Sequence, residues 1–157
     1  MKIEVSNGEL FDKLTILEIK LNKITDKDKL SNLMNEWEYI NAQAISYYQI
    51  YGNKLTSIVD KLDDLNNELW WVEDQIRLCE KKEIFDIEFV ELARSVYKLN
   101  DERYDLKKEI DNLTNSKFSE EKSYSKNMFS RNIFNRFSSH FGKILIVQYG
   151  LADYLIF

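Results

Sequence analysis

Proline is absent from all 157 residues, and glycine occurs four times, at Gly8, Gly52, Gly142 and Gly150. A proline inside a helix costs roughly 3 kcal/mol, so its absence leaves room for long uninterrupted helices. A single cysteine, Cys79, excludes an internal disulfide framework and points to a reducing compartment, so a cytoplasmic location is expected. Only one histidine is present, His140, and no Cys/His cluster has zinc spacing. Nucleophilic Cys/His or Ser/His/Asp catalysis therefore has little to be built from, and neither a cofactor nor a metal is expected. The start, MKIEVSNGEL, has no apolar h-region, and no run of about 18 apolar residues follows. Neither a signal peptide nor a transmembrane helix is expected.

Acidic residues are missing from positions 125 to 152. Up to Tyr124 the chain carries 18 basic and 26 acidic side chains, a balance of −8; beyond it, four basic and one acidic give +3. An acidic main body lacks the basic footprint that phosphate backbones need, so nucleic acid is not an expected partner. The division places a helical domain at 1–124 and an atypical tail at 125–157. In that tail Phe129, Ile133, Phe137 and Phe141 are spaced for a short basic amphipathic helix, and the apolar end around Gly150 could form a strand pair. Contact of the tail with a membrane surface is one expectation.

What the chain does have is helical periodicity. Leu55, Ile58, Leu62, Leu65, Leu69, Val72, Ile76 and Cys79 step by three and four. So do Phe89, Leu92, Val96, Leu99, Arg103, Leu106, Ile110 and Leu113. These are heptad seams, and they predict a long antiparallel helical hairpin over about 54–82 and 86–115. Upstream, Ser6 and Glu9 have capping-box spacing, opening a helix over about 7–24. A second helix is predicted over about 28–51, stopped by Gly52-Asn53. The expected fold is all-α, an antiparallel bundle of about four helices built on the hairpin.

If partner positions in the two seams sum to 168, seven layers pair apolar with apolar, and Leu65 alone faces a charge, Arg103. Glu68 and Glu102 lie close to that layer, with Asn66, Glu73 and Asn100 along the seam. One reading is a structural ion network that fixes register, as polar seam residues do in coiled coils. The other is a site for a small anionic ligand around Arg103, Glu68, Glu102 and Asn100, aided by Lys13, Arg77 or Arg94. Glu80-x-x-Glu83 and Glu102-x-x-Asp105 have the look of a magnesium-binding acidic motif. In this register, however, they stand roughly 20 Å apart along the helices and cannot share one ion.

Several stretches carry a resemblance. They are Glu4-Val5-Ser6, Gly8-Glu9-Leu10, Asp12-Lys13-Leu14-Thr15-Ile16-Leu17-Glu18-Ile19-Lys20, Leu69-Trp70 with Glu73-Asp74 and Ile76-Arg77, Phe89 to Tyr97, and Glu120-Glu121-Lys122-Ser123-Tyr124. Over residues 3 to 124 the chain resembles a family of small bacterial and phage proteins of unknown function. The resemblance implies no activity and no catalytic residue. It leaves the tail outside, as an extension, a tether or the product of a shifted reading frame. The expected function is a non-enzymatic interaction or accessory module with a protein partner or a second copy of itself. The alternatives are a small α-helical enzyme or binding protein for an anionic metabolite, and a peripheral membrane protein.

Overall fold

A computed structural model of the chain describes residues 3–123, which fall within one compact unit, Met1–Ser125. Three helical runs make it up: α1 (Asn7–Lys23), α2 (Lys27–Lys82) and α3 (Ile87–Leu113). The described residues contain no strand. The predicted amphipathic helix and strand pair of the tail lie outside the described residues.

Local chemistry sets the helix starts. Ser6 is the N-cap of α1, its side chain accepting from the Glu9 amide at 3.2 Å. Asp26 caps α2 by accepting from the Asp28 and Lys29 amides. Asp86 caps α3 by accepting from the Glu88 and Phe89 amides. Each cap satisfies amide donors that have no partner within the helix. At the hairpin bend Glu83 takes the left-handed conformation (φ 54°), and its amide closes back on the carbonyls of Cys79 and Glu80.

The helix count differs from the expected four, because no gap separates the second and third. The predicted stop at Gly52 is a single non-helical residue (φ 51°, ψ −136°) inside the 56-residue run of α2. Glycine takes this conformation without a Cβ penalty. The chain folds back here: Trp37 before Gly52 and Asn66 after it both bond to α1, at Glu18 and Asp12. On a straight helix those two residues would stand about 43 Å apart, far beyond the spacing of Glu18 and Asp12 on α1.

The core forms where these segments meet. Phe11 and Leu14 of α1, Ala44, Leu55, Ile58, Val59 and Leu62 of α2, and Ile110 of α3 make one buried cluster. Phe11 is fully buried, its ring edge-on to Tyr47 and Tyr48. The α2–α3 seam is deeply buried from Leu55 to Val72, and Ile76 and Cys79 nearer the bend are only half-buried. Asn66 and Arg103 bind the same carboxylate, which sets residues 65–66 level with 103, the level the seam register requires.

Candidate functional site

The α1 sequence builds a second inner row beside its leucines: Gly8, Asp12, Thr15 and Ile19, stepping by four, three and four, all buried. Its small and polar members let α3 come close. A Cβ on Gly8 would lie 2.5 Å from the backbone oxygen of Lys107. The Gly8 amide donates to Asp111 at 2.6 Å.

One turn along, Asp12 is 4% exposed. Arg103 of α3 reaches it with two parallel bonds, Nε to Oδ1 at 2.7 Å and Nη2 to Oδ2 at 2.5 Å. Asn66 of α2 donates to Asp12 Oδ1 at 3.0 Å and to Thr15 Oγ1 at 2.9 Å. Thr15 in turn donates to the Asp12 carbonyl. The fork of a guanidinium matches a carboxylate in this way, and the pair joins three helical segments at one level. The bond to Asp12 raises the Arg103 pKa above its ordinary value despite burial. Among the described residues no buried side-chain polar atom lacks a partner.

Two further links tie the ends of the unit to α3. Burial alone would lower the Lys107 pKa, but bonds to Glu120 and Glu9 outweigh it and hold it above the usual lysine value. Glu120 is 2.7 Å from Lys107 Nζ. Glu121 is 3.1 Å from Lys108 Nζ, and Lys122 lies over the Tyr104 ring while donating to the Asn100 carbonyl. The Glu120-Glu121-Lys122 stretch is therefore a strap laid along α3.

The carboxylate that Arg103 grips is Asp12 of α1, whereas the seam register pointed to Glu68 and Glu102. The seam register compares two helices only, so a partner on α1 was invisible to it. The signal that could have found it is the charge standing in the inner row of α1 between Gly8 and Thr15. Of the other candidates, Asn100 and Arg77 join Arg103 around a cleft of about 290 Å³, with Asn66, Ile16, Ile19, Leu69, Trp70, Glu73 and Asp74. Arg77 is paired there with Glu73 at 2.8 Å. Glu68 and Glu102 are half-buried and outside that lining. Lys13 pairs with Glu36 of α2 at 2.9 Å, and Arg94 with Glu91 at 3.6 Å, both away from the cleft. The lining's two arginines are thus matched by two acids, with Asp12 behind them.

A second cleft, of about 360 Å³, lies between α1 and both arms of α2, lined in part by Glu18, Met34, Trp37, Asp63 and Asn67. Burial, then the charges of Glu18, Asp64 and Asp60, push the Asp63 carboxyl above its ordinary value. Burial, with Glu18 and Asp60, pushes Tyr48 up to about 12. Among the described residues no group of three or more His, Cys, Asp or Glu is placed to hold a metal.

A family profile described as a family of unknown function, DUF6165, matches residues 1–141. The chain belongs to this family. The match extends past Tyr124, so part of the stretch expected to lie outside the resemblance is family sequence. No curated protein and no solved structure matches the chain. Among the described residues, no helix of this family member is long and apolar enough to cross a membrane.

Proposed function

We propose that the chain is a non-enzymatic interaction module whose working surface is the distal end of the α2–α3 hairpin. The carrying observation is a group of exposed apolar side chains at the end of the hairpin. Running parallel to α2 past the Asp12–Asn66 contact, α1 ends at Lys23, level with about Arg77. Beyond that level, among the described residues, the hairpin continues alone. It exposes Leu78 (45%), Ile84 (46%), Phe85 (55%), Ile87 (70%) and Val90 (42%). Single exposed apolar residues are ordinary, but a contiguous group of this kind marks an interaction site.

The Asp12–Arg103 layer supports the same reading from the other side. Three of its five guanidinium N–H donors are engaged, two by Asp12 and one, at 3.5 Å, by Asn100. That is the arrangement of a register lock rather than of a cation waiting for an anion. On this reading the lock holds α2 and α3, which carry the tip, in register. Changing Ile87 and Val90 to serine tests the reading: the variant should melt as the parent does and lose association with its partner. A variant that associates unchanged contradicts it.

A further inference from the structure

The proposed interaction surface can be taken further, to its partner. On α3 the outward face carries its own three-four row: Ile87, Val90, Arg94 and Tyr97, every one exposed. This row is separate from the inward face of α3, whose Leu92, Ser95 and Leu99 are buried. Two helices that present such a row can pair through it, and an antiparallel pair sets each first-type position against a second-type position of the other helix.

We propose that the occupant is a second copy of this chain, paired antiparallel along the outer face of α3. The argument is self-complementarity. In the register that centres the row on its own two-fold axis, Ile87 lies against Tyr97 of the second copy, and Val90 against Arg94. Glu91, beside the row, then stands next to Arg94 of the second copy, and the two-fold repeats the contact. Within one chain Glu91 already holds Arg94 at 3.6 Å. Pairing therefore closes a ring of two acids and two bases, and no like charge meets like without an opposite charge beside it. An isologous contact needs this match of a patch with itself. The row is short, so the contact falls below the standard interface size and dimerisation is weak and reversible.

The inference rests on the docking role of the hairpin tip, and the experiment separates the two. Sedimentation of the full chain between ~10 μM and ~1 mM should show mass rising from one chain to two, the range in which a small interface associates. Glu91→Arg makes the ring of four charges all basic and Arg94→Glu makes it all acidic. Each variant alone should dimerise at least ~10-fold more weakly, as expected when an interfacial charge pair is reversed. A one-to-one mixture should restore the dimer, because every basic site then meets an acidic one. Matching melting curves show that the variants are folded. A chain that remains single at every concentration overturns the proposal, as does a dimer indifferent to both swaps. A benzophenone side chain in place of Val90, irradiated in cells, tells the failures apart. Crosslinking to a copy of the chain supports the proposal. Crosslinking only to another protein overturns self-pairing and leaves the docking role standing. No crosslink overturns both.

Discussion

The middle and the distal end of the α2–α3 hairpin are built on opposite terms. At the middle, Asn66 is buried and Arg103 half-buried, and both donate to the buried Asp12 of α1. At the distal end, Ile84, Phe85, Ile87 and Val90 are apolar and face water. Charge inside and hydrocarbon outside each run against the ordinary preference of side chains. The first is stabilised by exact pairing across three segments. The second leaves its side chains largely facing water, with Phe85 edge-on to Phe89, which is why association is proposed for it. Polar burial here ties the helical segments together, and apolar exposure is where association is proposed.

The largest effect should come from breaking the buried pair. Asp12→Leu leaves Arg103 without its carboxylate, and Arg103→Leu leaves a buried Asp12. Each should lose ~3–5 kcal/mol in urea unfolding, the cost of stranding one partner of a buried pair. Next comes the close approach that brings α1 to α3. Gly8→Ala drives a methyl into the Lys107 backbone and should cost ~1–3 kcal/mol by the same measurement. At Gly52 no neighbour lies within 4 Å, so Gly52→Ala tests the backbone alone. A positive φ with an extended ψ should cost it ~1–3 kcal/mol in thermal or urea unfolding. The tip should be the converse: Ile87→Ser with Val90→Ser should change stability by less than ~0.5 kcal/mol and abolish association.

The smallest effect concerns acid. The Asp63 pKa is raised in the folded chain, so folding opposes its ionisation. The penalty is fully present above the folded pKa, is relieved as pH falls through it, and is gone below the unfolded value. Asp63→Asn should therefore stabilise the protein at neutral pH and make no difference under strongly acidic conditions. Melting curves of the parent and variant across that range check the sign.

Much of this contrast could be read in the chain itself. The seams and the caps at Ser6 and Asp86 are local patterns, and local patterns survive folding. Arg103 was legible as the one layer where the seam carries a charge. Asp12 was not, because its meaning depends on a third segment whose register against the hairpin nothing in the two seams records. Gly52 was legible as a stop but not as a one-residue reversal within a continuous helical run. The outer row Ile87–Tyr97 was obscured for a similar reason. The inner seam already accounted for α3, and what leaves the tip exposed is the position at which α1 ends.

The most direct measurement is the unfolding free energy and assembly state of the Asp12→Leu, Arg103→Leu double variant beside the two single variants. With both charges replaced, no group is stranded, so the double variant should recover to within ~1 kcal/mol of the parent, as such replacements often do. It should also associate as the parent does. A double variant that regains its stability but loses its association would contradict the account, because the buried pair would then belong to the function and not to the frame alone.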